Sequence, residues 1–415
     1  MRPSADEWAE IELGQLGSIV TGRTPPKAEP ELFGSDYPFF TPSDMSYGDR
    51  SPPTNRFISN DGARRFRRIR LPTGSTCFVC IGATIGKACL TSHPSFTNQQ
   101  LNSIIPDDKR HDPRFVYYLL VSVADDIKAL ASGAATPIIN KSSFSAFKVK
   151  VPSLPTQQRI AAILSAYDDL IETNTRRIAI LEEMARRLYE EWFVHFRFPG
   201  HDETAFEKRP VSDLAEIVRG RSYKSSELVA EGGRPFVNLK CVNRDGGFRR
   251  DGLKRYEGRF KEQQLVSSGD IVMGVTDMTQ ERRIVARAAL VPELGDVDGL
   301  ISMDLVKIVP KPPTTNVFLY AALRWSDFAE NVKNHATGAN VLHLHPDRIS
   351  EYLMPLPPVE YQQRFASVAA PIIEEIELLE QKSANLRAQR ELLLPRLVSG
   401  EIDVSGAENA MEAAE

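Results

Sequence analysis

Apolar residues recur along this chain at two different spacings, and the spacing changes in blocks. From Ile160 they follow a heptad, with Ile160, Tyr167, Asn174, Leu181 and Leu188 at one seam position and Leu164, Ile171, Ile178, Ala185 and Trp192 at the other. A second heptad places Phe365, Ile372, Leu379, Leu386 and Leu393 at the first position and Ala369, Ile376, Ser383, Arg390 and Leu397 at the second. A 3.5-residue period held this long predicts two long helices, and two heptad helices in one chain predict each other as partners. The seam runs about 37 residues, or roughly 50 Å at 1.5 Å per residue, longer than a packed module of this size needs. The polar seam residues Asn174 and Ser383 are expected to set register at some cost in stability.

The other blocks read as mixed α/β. "GSTCFVCIGATIGKACLT" and "GDIVMGVTDMTQERRIVARAALVP" alternate apolar and polar residues between turn residues and predict hairpins. "DPRFVYYLLVSVADDIKALASG" and "TTNVFLYAALRWSDFAENVKNHATG" each predict a helix ending at glycine. "FKVKVP" and "EYLMPLPP" predict short strands running into prolines.

These blocks occur twice, in the same order. Leu13–Thr24 resembles Val211–Ser222 at an offset of 198, Ile85–Leu90 resembles Val285–Leu290 at 200, and Ser132–Phe144 matches Thr337–Ile349 at 205. "QQR" at Gln157–Arg159 returns at Gln362–Arg364, again at 205, each time behind prolines and ahead of a heptad. The chain is a duplication with diverged loops. Its expected division is a module over 1–151, a spacer helix over 152–198, a second module over 199–354, a second spacer helix over 355–400 and a flexible tail over 401–415. The expected fold class is α/β (α+β), with two similar globules held apart by an antiparallel coiled-coil pair in pseudo-two-fold symmetry. Two similar readers at fixed spacing suit a two-part DNA sequence, since paired readers match half-sites about one helical turn, roughly 34–36 Å, apart.

Composition narrows this reading. At 415 residues, 42% hydrophobic and 26% charged, the chain has material for real cores and is not a disordered polymer. No apolar run approaches the roughly 20 residues that span a bilayer, and "MRPSADEWAEIELG" lacks a signal-peptide core, so a soluble cytoplasmic protein is expected. A net charge of −4 and a pI near 6.1 argue against indiscriminate coating of nucleic acid. Local basic patches remain in "ARRFRRIR", "FRRDGLKRYEGRFK" and "QERRIVAR". Cys77, Cys80, Cys89 and His93 formally match a zinc pattern, but Cys77 and Cys80 on one strand would face opposite ways and read as buried hydrophobes.

At this point "LGSIVTGRTPP", "YPFFTPSDM", "NQQLNSIIP", "PSLPTQQRIAAILSAYDDLIE", "LPPVEYQQRF" and "LLLPRLVSGEIDV", in this order across nearly the whole chain, carry a family resemblance. The sequence resembles the specificity subunit of type I restriction–modification enzymes. The resemblance implies two target recognition domains, each reading half of a bipartite site, and helical regions that set the gap. It implies no catalysis in this chain and no cofactor of its own. The implied partners are double-stranded DNA, two modification subunits that bind S-adenosylmethionine and methylate adenine, and restriction subunits that use ATP and Mg.

The residues agree with that division of labour. No [DNS]-P-P-[YFW] methyltransferase motif occurs, and "SPPT" ends in the wrong residue. No Gly-x-Gly-x-x-Gly follows a strand, and "GATIGKA" departs from a phosphate loop in spacing and in its last residue. Asp107, Asp126 and Lys128 fit a loose nuclease pattern, but the last two fall on an expected helix where that chemistry needs a strand. His343 and His345 alternate in an expected strand, and packing or DNA contact is expected of them in place of catalysis.

DNA contacts are therefore assigned to loops. Arg and Lys suit phosphates, Arg suits guanine, Asn and Gln adenine, Asp and Glu cytosine. The candidates in the first module are Arg23, Lys27, Ser43, Asp44, Lys87, Asn98, Gln99, Asn140 and Lys141. Those in the second are Arg221, Lys224, Asn238, Lys240, Asn243, Arg244, Thr279, Gln280, Arg282, Arg283, His343 and His345. "DMTQERR" at Asp277–Arg283 has no counterpart in the first module, as two different half-sites would require. The competing readings are a methyltransferase or nuclease hidden in a module and a coiled-coil scaffold that binds only protein.

Overall fold

A computed structural model describes residues 8–131, 136–198 and 206–404. Of the expected flexible tail, residues 405–415 lie outside the described residues. The chain divides into two compact units, one made of Met1–Asn174 with Lys382–Glu415 and the other of Thr175–Gln381. This differs from a division into modules and whole helices. Each long helix is cut part-way, because its two parts bury their apolar faces in different cores.

In unit 1, strands β1 (Trp8–Glu12), β2 (Gly17–Thr21), β3 (Phe33–Phe40) and β4 (Phe57–Ile58) precede helix α1 (Asn60–Arg65). Strands β5 (Thr76–Val79), β6 (Ala88–Leu90), β7 (Phe96–Thr97) and β8 (Leu101–Pro106) follow, then helices α2 (Pro113–Ser122), α3 (Ala124–Ala129) and α4 (Lys141–Ser145) and strand β9 (Lys148–Pro152). The main sheet is antiparallel in the order β2-β8-β5-β6, and a smaller sheet runs β4-β3-β7 with β3 and β7 parallel. Cys77 pairs with Cys89 across β5 and β6. Strand alternation then sends Cys77 and Val79 into one apolar cluster and Phe78 and Cys80 into the other. "GATIGKA" is the turn of this hairpin, and Asp126 and Lys128 lie on α3.

The first part of helix α5 (Leu154–Phe193) covers the Phe78 face of the sheet with Ile160, Ala161 and Leu164. Leu394, Leu397 and Val398, from the end of helix α10 (Val359–Val398), join the same core. Here polar residues of the two helices meet in pairs. Asn174 Nδ2 donates to Ser383 Oγ at 3.3 Å, both side chains being buried. Asp168 and Arg390 form an ion pair at 4% and 6% side-chain exposure. Tyr118 donates its hydroxyl to Asp168 at 2.6 Å, and burial, followed by Asp168, pushes that phenol above its ordinary range so that it keeps its proton.

Unit 2 repeats the plan. Strands β10 (Glu207–Pro210), β11 (Ala215–Arg219), β12 (Leu228–Val229), β13 (Arg234–Val237), β14 (Lys254–Tyr256) and β15 (Leu265–Val266) are interrupted by helix α6 (Val211–Leu214). Strands β16 (Ile271–Gly274), β17 (Thr276–Asp277), β18 (Ala288–Leu290), β19 (Gly299–Ile301) and β20 (Leu305–Pro310) follow. Helices α7 (Asn316–Trp325), α8 (Phe328–Val332) and α9 (Pro346–Ser350) flank strands β21 (Leu342–His343) and β22 (Leu353–Leu356). The main sheet, β11-β20-β16-β18, has the same antiparallel connectivity as in unit 1, and the second sheet grows to β12-β14-β13-β19-β15. The helix segments bury Tyr189, Phe193, Phe365 and Ala369 against it, with Phe193 in edge contact with Phe365 and Phe318 at 5.1 Å each. None of the heptad positions Ile160, Leu164, Tyr167, Ile171, Asn174, Ile178, Leu181, Leu188, Phe365, Ile372, Ile376, Leu379, Leu386 and Leu393 is exposed.

Each helix expected before a glycine is in fact broken in two. Val123, at φ −103 and ψ 14, ends α2. Ser326 turns extended after α7, and its hydroxyl accepts the Phe328 amide at 3.1 Å, which starts α8.

The first glutamine of each recurring Gln-Gln-Arg is a buried joint. Gln157 accepts the Asp112 amide at 3.1 Å and donates to the Pro152 carbonyl at 2.9 Å. Gln362 accepts the Thr315 amide at 3.1 Å and donates to the Pro357 carbonyl at 2.9 Å. In both units one amide side chain ties the first turn of the long helix to the end of the last strand and to the start of α2 or α7. It satisfies backbone groups there that have no partner of their own.

Candidate nucleic-acid interface

The loop after the first strand of each main sheet is held in the same way. Gly22 and Gly220 donate to the Leu101 and Leu305 carbonyls at 3.2 Å each, and Arg23 and Arg221 to the Thr97 and Ile301 carbonyls at 2.8 Å each. Glycine is required by close approach, since a Cβ would sit 2.3 Å from the Thr97 carbonyl oxygen at Gly22 and 2.0 Å from the Ser302 carbonyl oxygen at Gly220. The backbone thus presents an arginine at one fixed place in both modules. Arg23 is exposed, 5.8 Å over the Phe66 ring. Arg221 is half-buried beside Tyr256.

Those two aromatic partners belong to basic strips. In unit 1, Ser59 caps α1 by accepting the Gly62 amide at 3.1 Å. The helix and the turn after it expose Arg64, Arg65, Arg67, Arg68 and Arg70. Arg64 pairs with Asp61 and Arg65 with Glu29, while Arg67, Arg68 and Arg70 have no ion pair among the described residues. In unit 2, Lys254, Arg255, Arg259 and Lys261 are exposed on and after β14. These strips were visible as charge runs but were not among the assigned contacts; their link to Arg23 and Arg221 emerges only from the fold.

The remaining candidates fall into three groups. The first group is exposed: Lys27, Ser43, Gln99, Asn140 and Lys141 in unit 1, and Lys224, Lys240, Arg244, Thr279, Gln280, Arg283, His343 and His345 in unit 2. Gln99 accepts the Thr24 hydroxyl at 2.9 Å, beside Arg23. Asn140 and His345, related by the 205 offset, cap α4 and α9, with Asn140 accepting the Ser143 amide at 2.8 Å.

A second group braces the loops. Asp44 accepts the Thr41 amide and the Arg56 guanidinium, each at 2.7 Å, and Arg56 also reaches Ser43 at 2.9 Å. Lys87 donates to the Met45 carbonyl at 2.7 Å. Arg282, held at φ 54, donates to the Asn334 carbonyl at 3.3 Å. Asn243 lines a cleft against the helix segments of unit 2. Sequence reasoning missed Arg56, because its partners are a turn folded back on it.

Asn98 and Asn238 form the third group. Both are buried. Asn98 donates to the Gln100 side chain at 2.9 Å, and Asn238 donates to the Gly252 carbonyl at 2.7 Å while accepting the Lys240 amide at 3.0 Å. Reading a base would break these bonds in the interior, so their amides hold the loop ends and do not reach outward.

The segment without a counterpart closes on one carboxylate. Asp277, 3% exposed, accepts the amide and hydroxyl of Thr279 at 2.8 Å each through one oxygen and the Ile284 amide at 2.9 Å through the other. Burial raises its pKa, but the amides of Ile284 and Thr279 outweigh it and hold the carboxyl below its usual value. Gln280 then reaches the Ala339 carbonyl at 3.0 Å, Thr276 pairs with His343, and Arg219 meets His345 at 3.0 Å. Residues 276–284 and 333–345 therefore form one surface that presents Met278, Gln280, Arg283, His343 and His345 to solvent.

This arrangement can grip phosphates and offer amide, imidazole and guanidinium groups to base edges. Among the described residues no three His, Cys, Asp or Glu side chains group as a metal site, and no helix is long and apolar enough to cross a membrane.

Comparison with known proteins gives a concordant answer. The family model for the type I restriction modification DNA specificity domain matches twice, at residues 5–183 and 203–388. The type I restriction enzyme MjaIX specificity subunit of Methanocaldococcus jannaschii is 26% identical over 96% of this chain and 94% of its own length. The HindI specificity subunit of Haemophilus influenzae is 40% identical over 35% of this chain and 32% of its own length. The crystal structure of a type I restriction–modification S subunit from M. genitalium superposes with a TM-score of 0.62 at 16% identity, covering 96% of this chain and 98% of that one.

Proposed function

This chain belongs to the type I restriction modification DNA specificity family, and from that premise we propose that each of its modules reads one half of a bipartite duplex target. The observation that carries this reading is the repeated loop. Arg23 and Arg221 leave identical backbone frames, each beside a basic strip, while the loops around them differ. Identical frames suit contacts to the repeating phosphate backbone, and diverged loops suit two different base sequences.

In this proposal the chain performs no chemistry. The helical segments set the gap between half-sites and dock modification subunits that bring S-adenosylmethionine. Restriction subunits bring ATP and Mg, and the assembly works in the cytoplasm.

The test is reconstitution with the modification subunits of the same system and mapping of methylated adenines. Two half-sites at one fixed gap are expected. Arg23→Ala should weaken binding by about tenfold, the cost of one charge-assisted contact, through one half-site, and Arg221→Ala through the other. Equal loss at both half-sites from either change would refute the modular assignment, and methylation by this chain alone would refute its non-catalytic role.

A further inference from the structure

Within unit 2, a cleft of about 300 Å³ opens where the module meets the helix segments. The module side offers Phe248, Tyr320 and Trp325, and the helices offer Ile373 together with Glu182, Glu374, Glu377 and Glu380. The one cation in the lining, Arg324, is already committed. It donates to the Tyr320 hydroxyl at 2.6 Å and to Glu182 at 2.5 Å, and its guanidinium lies 5.5 Å over the Trp325 ring. Glu377 accepts the Glu293 amide at 2.7 Å and has Arg250 at 3.6 Å. The carboxylates of Glu374 and Glu380 have no hydrogen bond or ion pair among the described residues. Burial raises the Glu380 carboxyl above its ordinary value. Arg250 opposes that shift, Glu182 adds to it, Arg324 opposes it and Glu377 adds to it.

Unit 1 shows what such carboxylates do when supplied with a cation. The 205 offset places Asp169 and Glu172 at the positions of Glu374 and Glu377. There Arg50, from the module's own loop, donates to Asp169 at 2.6 Å and to Glu172 at 2.9 and 3.2 Å. In unit 2 the matching arginine, Arg250, approaches Glu377, and Glu374 has no ion pair among the described residues.

We propose that the unit 2 cleft receives a lysine or arginine side chain of a partner protein subunit, which makes on Glu374 the contact that Arg50 makes on Asp169 inside unit 1, with the Glu380 carboxyl lining the same cleft. The aromatic and apolar wall accepts the methylene stem and the carboxylates take the head. DNA phosphate is excluded by like charge. The proposal rests on the reading of this chain as a subunit that docks modification subunits.

The experiment titrates the full chain with the purified modification subunit of the same system at two salt concentrations. The variant is E374Q with E380Q, and E374K alone, at an exposed position, guards against misfolding. Binding should weaken by roughly tenfold or more in both, as expected for charge-paired contacts, with a shallower salt dependence and unchanged half-site preference. Assembly at wild-type affinity in both variants would overturn the proposal and leave the functional reading intact. Failure of the wild-type chain to bind would overturn both. Spermidine binding that is lost in the variants while assembly is unchanged would make the cleft a small-cation site and also overturn the proposal.

Discussion

The two units share a frame and differ in what fills it. Gln157 and Gln362 make the same pair of bonds to the same backbone positions within 0.1 Å of each other. A few residues along the helices, the likeness ends. Unit 1 buries the ion pair Asp168–Arg390 under Tyr118. At the matching positions unit 2 has Ile373, packed against its apolar core, and Ala185, fully buried. The same cavity in the architecture is thus filled once by charge and once by hydrocarbon. The difference teaches that the joint is fixed by amide-to-backbone bonds, which admit no substitute of other geometry. The neighbouring packing is free to drift so long as each solution is complete.

Breaking that completeness on one side should have the largest effect. Arg390→Met strands the Asp168 carboxylate in the interior and should destabilise the chain by about 3–5 kcal/mol, measured by urea unfolding. Replacing the set together (Tyr118→Phe, Asp168→Ile, Arg390→Met), so that unit 1 is filled by hydrocarbon as unit 2 is, should cost little or even stabilise by about 1–4 kcal/mol. If the triple variant were as unstable as the single one, charge and hydrocarbon would not be alternative fillings of one frame.

The next effect tests the shared part. Gln157→Ala and Gln362→Ala each leave a buried amide and carbonyl without partners, at about 1–3 kcal/mol apiece. Near-equal losses in the two variants are expected from the matched geometry. A loss confined to one of them would show that only that joint is structural.

How far the sequence foretold this follows from range. Heptads and alternation are local, so the long helices and the β5–β6 hairpin were legible, and the duplication was legible in its offsets. What a polar side chain faces is not local. Asn238 resembles an adenine reader in isolation, yet its partner is the Gly252 carbonyl, brought close by a turn between them. Arg50 sits in an unremarkable loop, and its acceptors lie 119 and 122 residues away. The breaks at Val123 and Ser326 were hidden because each helix resumes with compatible apolar spacing after a single displaced residue. The exposed loop residues could be named by type, but their grouping into two faces required the fold.

The smallest effect concerns the segment that only unit 2 possesses. Asp277 closes residues 277–284 through three bonds to one carboxylate, and unit 1 has no such insertion to close. Asp277→Asn keeps the size but offers an amide where the Ile284 or Thr279 amide needs an acceptor, so a loss of about 1 kcal/mol is expected. Because the folded carboxyl titrates below its ordinary value of 3.8, its contribution is present above that value and fades as pH falls through the lower folded value. Hydrogen exchange at the Thr279 and Ile284 amides should therefore show protection from neutral pH down to about pH 4, lost in more acid solution. In Asp277→Asn it should be weaker at every pH and independent of it in that range. If the wild-type protection did not respond to acid, the loop would be held by its contacts to Asn334 and Ala339. Its shape would then be a property of the whole surface, not of the one carboxylate that sets unit 2 apart.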